Sequence, residues 1–279
     1  MKKTIAMLLA IAVMICAFAG CSQQTFDPAD GYRVLEETLE AEKYGIGFRN
    51  EDIALGLEVQ KHLDEMMADG TAAEISKKWF GEDVLLKNED YIEEAEASAD
   101  DASLQAIIDK GTLVLGLDDS FPPMGFRDDA NNIVGFDIDL ATEVAARIGV
   151  ELVVQPIDWD AKEMELSTGN IDCIWNGMTI TDERVANMYF TKAYIANEQV
   201  VIVPTKSSIN AVADLKGKKV GLQKGSSSLT ALEKTEVFAE IKEVVEFADN
   251  VTAFLDMKAN RVEAFVVDSV AGRYIMTNN

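Results

Sequence analysis

The sequence predicts an α/β protein built on a parallel-rich sheet. Three features carry the prediction. From Leu104 onward, short β-rich apolar runs alternate with segments of helical spacing, the pattern of repeated βαβ units. The chain has 279 residues, enough for two modest lobes with cores of their own. The stretch Ile171 to Arg184 reads as a buried strand, Ile171 to Trp175, that ends at Asn176-Gly177. A polar turn over Thr179 to Asp182 and a helix start carrying Arg184 follow.

Residues 1–20 stand outside that fold. Lys2-Lys3 supply a positive start, and Ile5 to Phe18 is an apolar run too short for a comfortable membrane span. Ala17-Phe18-Ala19-Gly20-Cys21 resembles a bacterial lipobox, which makes residues 1–20 a lipoprotein signal peptide and Cys21 the lipidated first residue. A plain secretory signal ending near a cysteine is the alternative. After processing only Cys173 keeps a free thiol, so neither an intrachain disulfide nor a Cys/His metal site can form. The formal net charge of -24 argues against nucleic acid and against electrostatic adhesion to anionic lipid, and its plain reading is solubility.

Residues 21–30 read as a tether. Tyr32 to Leu39 alternates apolar and polar residues, and Tyr44 to Phe48 reads as a strand. Ile53, Leu57, Leu63 and Met67 carry helical spacing, closed by Gly70. Thr71 is expected to cap a second helix that ends at Gly81. His62, the single histidine, reads as a surface or boundary residue of the first helix. Residues 87–102 are acidic and nearly free of bulky apolar side chains, the composition of a solvated linker.

A helix over Leu104 to Asp109, a strand over Thr112 to Leu117 and a loop over Asp118 to Met124 come next. Then follow a helix over Asp137 to Ile148, a strand over Glu151 to Pro156 and a helix near Ala161 to Leu166. Beyond the Ile171 strand, Gln199 to Val203 reads as a crossover, and Lys219 to Leu222 as a strand whose Gln223 to Ser228 turn opens a helix. A strand near Glu243 to Phe247, a helix near Asn250 to Lys258 and a strand from Val262 to Val267, ending at Asp268, complete the pattern. In open α/β sheets ligands bind at the carboxyl ends of strands, which singles out the loops after Leu117, Pro156 and Trp175. At Ile171 to Arg184 a strand end meets a helix start. Free N–H groups, a carbonyl, hydroxyls and a guanidinium gather there in a set that suits a zwitterion. An ordinary strand, turn and helix with a surface arginine reads equally well on these residues alone.

Four stretches stand out: Asp118-Asp119-Ser120-Phe121-Pro122-Pro123-Met124-Gly125-Phe126, Val134-Gly135-Phe136-Asp137-Ile138-Asp139-Leu140, Asn176-Gly177-Met178-Thr179-Ile180-Thr181-Asp182-Glu183-Arg184, and Asp214-Leu215-Lys216-Gly217-Lys218-Lys219-Val220-Gly221. Together they resemble the amino-acid-binding family of solute-binding proteins for bacterial ABC importers. The resemblance implies a two-lobed periplasmic-binding-protein-like (type II) fold, each lobe a mixed, mostly parallel sheet flanked by helices, with two crossover strands between. It implies a larger lobe over 44–86 and 103–199 and a smaller lobe over 31–43 and 200–279. The order departs from the family, in which a piece like Glu42 to Phe48 and Asp69 to Gly81 lies at the carboxyl-terminal end. The chain also stops where the family pattern continues, so it reads as circularly permuted, with 87–102 joining the ancestral termini. A truncated tandem duplication and an assembly error are the alternatives.

By the same resemblance Arg184 would hold a ligand carboxylate, helped by the N–H groups of Thr179 and Ser227. Asp268 would pair with the α-ammonium, joined by the Gly177 carbonyl and the Thr179 hydroxyl. Phe121 and Trp159 would sandwich the ligand stem. Asp118 would read the far end of the ligand, and Asn176, Gln223 and Ser226 would complete the wall. Phe121 has a plain reading as core, Asp118 as a turn residue and Gln223 to Ser228 as a capped turn. Asp268 has the sharpest case, since an acid that closes a buried apolar strand needs a partner. The implied function is capture of a polar or charged free amino acid and its delivery to the transmembrane subunits of an importer. A monomer is expected, held at the membrane by its lipid alone, with no cofactor and no nucleic acid. An enzyme on the same fold and a sensor or non-binding copy are the alternatives.

Overall fold

The computed structural model describes residues 31–87, 89–91 and 95–278. The segments expected to be a signal peptide, 1–20, and a tether, 21–30, with Cys21, lie outside the described residues. Strands β1 (Tyr32–Val34) and β2 (Glu40–Phe48) open the order. Helices α1 (Ile53–Asp69) and α2 (Thr71–Phe80) follow. Gly70 sits between them at φ 90°, a left-handed residue that closes α1 and starts α2. Thr71 is therefore the first residue of α2 and not its cap, and its N–H donates to the Asp69 carboxylate at 2.9 Å.

Helix α3 (Ser103–Lys110) leads into β3 (Thr112–Leu117). The loop after β3 is more ordered than its sequence suggests. It holds β4 (Ser120–Phe121) and β5 (Gly125–Arg127), which with β6 (Ile133–Val134) make a small antiparallel sheet. Helix α4 (Phe136–Ile148), β7 (Glu151–Pro156), α5 (Lys162–Ser167) and β8 (Cys173–Thr179) come next. Then follow α6 (Asp182–Val185), β9 (Tyr189–Phe190) and the long β10 (Ile195–Pro204). The last unit is β11 (Lys219–Gln223), α7 (Ser227–Glu233), β12 (Glu243–Phe247), α8 (Asn250–Lys258), β13 (Ala264–Asp268) and α9 (Ser269–Asn278).

The fold is α/β and two-lobed. One curled sheet runs through both lobes in the order β12-β11-β13-β10-β2-β8-β3-β7. The two flanks are parallel: β12, β11 and β13 on one side, β8, β3 and β7 on the other. Between them β10 and β2 run antiparallel to each other and to their outer neighbours. These two strands are the crossovers.

Apolar side chains alternate along the strands and feed cores on both faces. On β10, Val200 and Ile202 join one core while Val201 and Val203 join another. On β8, Cys173 and Trp175 face the first core, and Ile174 and Met178 face a third with Trp159 and Leu166. Full burial of each large apolar side chain contributes about 1.5–3 kcal/mol, so Trp175, Tyr194, Phe48 and Phe265 weigh heavily in holding the sheet to its helices.

Two expectations are corrected. The organising strand begins at Cys173 and continues past Gly177 to Thr179, because β2 pairs with it from Ile174 to Thr179, beyond the Cys173 and Ile174 pairs with β3. The acidic segment over 87–102 is not simply solvated. Tyr91 and Ala95 pack against the main core, the Lys192 ammonium lies 5.1 Å over the Tyr91 ring, and the Asp101 carboxylate accepts the Ala54 N–H at 2.7 Å. His62 is buried between Glu58 and Glu65, its ring nitrogens 3.1 and 2.9 Å from their carboxylates.

Candidate functional site

All eleven residues expected at the site line one cavity: Asp118, Phe121, Trp159, Asn176, Gly177, Thr179, Arg184, Gln223, Ser226, Ser227 and Asp268. They arrive from both flanks of the sheet. Asp118 follows β3, Trp159 follows β7, and Asn176, Gly177 and Thr179 come from the end of β8. Gln223 ends β11, Ser226 caps α7, and Asp268 ends β13.

Local backbone chemistry sets this geometry. Gly177 takes φ 56°, and a Cβ there would meet Phe121 Cε1 at 2.7 Å, so only glycine admits both the bend and the ring. The Gly177 N–H donates at 2.8 Å to the fully buried Asp137 carboxylate, which also accepts the Tyr194 hydroxyl at 2.9 Å. Burial pushes Asp137 up to about 7. Thr181 caps α6 by accepting the Arg184 N–H at 3.2 Å, which fixes where the arginine leaves its helix.

Arg184 is buried, and its guanidinium donates to the Thr179 carbonyl at 2.7 Å and the Gly225 carbonyl at 3.3 Å. Its remaining N–H groups can meet a planar anion side-on. Burial holds the group below its usual range. Asp268 is buried, and one of its oxygens accepts from the Tyr44 hydroxyl at 2.6 Å and the Asn197 amide at 2.7 Å. Burial first, and then the Glu42 charge, hold Asp268 well above the ordinary carboxylate range. A cation beside it would relieve both causes.

At the far end the Asp118 carboxylate accepts the Ser120 N–H at 2.8 Å and the Gln223 amide at 2.7 Å. Asn176 accepts the Asp118 N–H at 3.1 Å, while among the described residues its buried amide nitrogen has no acceptor.

Sequence reasoning missed a second tier. Glu42 on β2 accepts from Thr179, Asn197 and Gln199 at 3.1, 3.0 and 3.0 Å. The Thr179 hydroxyl, expected to face a ligand ammonium, is engaged there and lies 3.2 Å from the Ser227 hydroxyl. Gln199 also donates to Ser227 at 3.2 Å and accepts from Ser228 at 2.7 Å. The available signal was polar alternation on two otherwise buried crossover strands, Glu42 with Tyr44 and Asn197 with Gln199.

The chain belongs to the bacterial extracellular solute-binding proteins, family 3, whose model matches residues 113–258. Among curated relatives it is 30% identical over 175 residues to the L-cystine-binding protein TcyJ of Escherichia coli strain K12, covering 62% of this chain and 65% of that one. It is 30% identical over 172 residues to the arginine-binding extracellular protein ArtP of Bacillus subtilis strain 168, covering 61% and 66%. The match thus spans less than two thirds of the length of these relatives. Among solved structures it is similar to an ABC uptake transporter substrate-binding protein from Streptococcus pneumoniae with bound histidine. The TM-score is 0.62 at 35% identity, over 64% of this chain and 74% of the other. It is similar also to the arginine-bound form of truncated ArgBP from T. maritima, with TM-score 0.59 at 39% identity over 63% and 82%.

Proposed function

We propose that the protein captures a polar or charged free amino acid outside the cytoplasm and hands it to the transmembrane subunits of an ABC importer, without catalysis. One observation carries the reading: a single cavity is lined by both a buried guanidinium, Arg184, and a buried carboxylate, Asp268. That pair matches the two charges of an amino acid backbone. Phe121 and Trp159 flank the stem, Asn176 and the Gln223 to Ser227 turn add polar contacts, and Asp118 meets the ligand side chain. The relatives are named as binding proteins for cystine and arginine, which agrees with a polar cargo.

The finer features belong to the same proposal. Residues 44–86 and 103–199 form the larger lobe, and 31–43 with 200–279 the smaller. Residues 31–86 occupy the place that follows 279 in the family order, so the chain is circularly permuted and folds as a monomer. In support, β2 lies between β10 and β8 within the sheet, as an integral strand. A rearranged chain, 103–279 followed by 31–86, should fold and bind like the original. Cys21 carries a lipid anchor, and Cys21→Ser should release the protein from the membrane fraction.

A thermal-shift screen of the standard amino acids plus cystine tests the function, since a ligand that binds only the folded state raises its stability. At least one polar or charged amino acid should raise the melting temperature. No shift with any of them contradicts the proposal.

A further inference from the structure

Lys162, the first residue of α5, is a buried lysine with no part in the ligand contacts proposed so far. It does not line the inner cavity but faces the adjoining cleft, whose wall includes Arg184, Gly225 and Ser226. Its ammonium donates to the Trp159 carbonyl at 3.2 Å and, across the lobes, to the Gly225 carbonyl at 2.8 Å. Arg184 reaches that same Gly225 oxygen at 3.3 Å, so two buried cations converge on one neutral acceptor. The turn is held tightly there. Gly225 has φ 69°, and a Cβ on it would meet Asp160 Cα at 2.8 Å.

We propose that Lys162 is a positioning residue of the carboxylate subsite: it fixes the Gly225 turn of one lobe beside Arg184 of the other and shares with Arg184 the charge of the ligand carboxylate. This rests on the amino-acid reading of the cavity. An anion on Arg184 relieves the crowding of two like charges. Burial first, and then Arg184, push Lys162 down to about 8, against the pull of Glu163 on its own helix, Asp160 on the preceding turn and Glu183 on α6. Lys224, on the facing turn, is 2.8 Å from Asp160. A bound carboxylate raises Lys162 again. Well below about pH 8 the residue is already charged and binding moves no proton to it. Near that pH binding draws a proton onto it, so its contribution to affinity falls as the pH rises further.

Calorimetry with L-arginine, in phosphate and in Tris, measures the protons taken up on binding at about pH 6.5 and about pH 8. The wild type should take up a larger fraction of a proton at the higher pH. Lys162→Arg keeps the charge without titrating in this range; it should still bind but lose the excess uptake. Lys162→Met should bind about ten-fold more weakly, the scale of one lost charge contact. Protons carried by the ligand are common to all three proteins and cancel in the comparison. Equal uptake by the wild type and Lys162→Arg overturns the inference and leaves the amino-acid reading standing, as does wild-type affinity in Lys162→Met. Should L-arginine not bind, the amino acid selected by the thermal screen takes its place, and if that screen selects none the amino-acid reading fails and this inference with it.

Discussion

The Gln223 amide donates to the Asp118 carboxylate at 2.7 Å, joining the end of β11 on one flank of the sheet to the end of β3 on the other. Asn250 donates in turn to Gln223 at 2.8 Å. The chain of contacts holds an acid that burial pushes up to about 6 from an ordinary 3.8, against the opposing effect of Gln223.

The folded protein therefore holds the Asp118 proton more tightly than the unfolded chain. The stability linked to it is greatest below about pH 4 and falls as the pH climbs through about 6. Asp118→Asn removes the fall. Its stability relative to the wild type should rise by about 2 kcal/mol between about pH 4.5 and about pH 7, since a tenfold difference in proton affinity between the folded and unfolded states is worth ~1.4 kcal/mol. Urea denaturation across that range measures it, and a difference that does not change with pH contradicts the assignment.

Tyr44 and Asn197 both donate to the Asp268 carboxylate. Tyr44→Phe should lower stability by about 1.5–3 kcal/mol, the scale of a hydrogen bond to a charged group. It should also weaken ligand binding, because the carboxylate loses the contact that fixes its orientation. Chemical denaturation and calorimetry on the same variant read the two effects, and an unchanged protein on both counts removes Tyr44 from the site.

Gly177→Ala should cost about 2–4 kcal/mol, from the left-handed backbone and from overpacking against Phe121 and Tyr44. Gly217 is the comparison: its φ is 71°, yet a Cβ there has nothing within 4 Å. Gly217→Ala should lose only the backbone part, about 1–2 kcal/mol. Equal losses at the two positions would show that the ring contact at Gly177 carries no weight.

Much of this architecture is legible from the residues. β3, β7, β12 and α8 match the expected spans, because apolar runs of strand or helix length stand between clear turn residues. β8 differs from expectation at both ends, since Asn176-Gly177 looks like a strand terminus while Gly177 in fact bends a strand that goes on pairing with β2 as far as Thr179. Helix α9 has no expected counterpart, although Ala271 and Ile275 are fully buried at helical spacing. In the site, the residues that fall within motifs can be named in advance, and they meet around one cavity. Glu42, Tyr44, Asn197 and Gln199 cannot, because their contacts depend on the register of β2 against β10, which pairs Glu42 with Asn197. Lys162 escapes for a similar reason: its partner, Gly225, is 63 positions away.

In the proposed site Arg184 and Asp268 act together on one zwitterion, and calorimetry on variants of both tests this most directly. With the amino acid that the thermal screen selects, Arg184→Ala and Asp268→Ala should each lose about 2–5 kcal/mol of binding, roughly 30-fold to several thousand-fold. His62→Ala, which alters a helix remote from the cavity, should bind like the wild type. Retained binding in both cavity variants, with loss in His62→Ala, would place the site elsewhere and contradict the proposal.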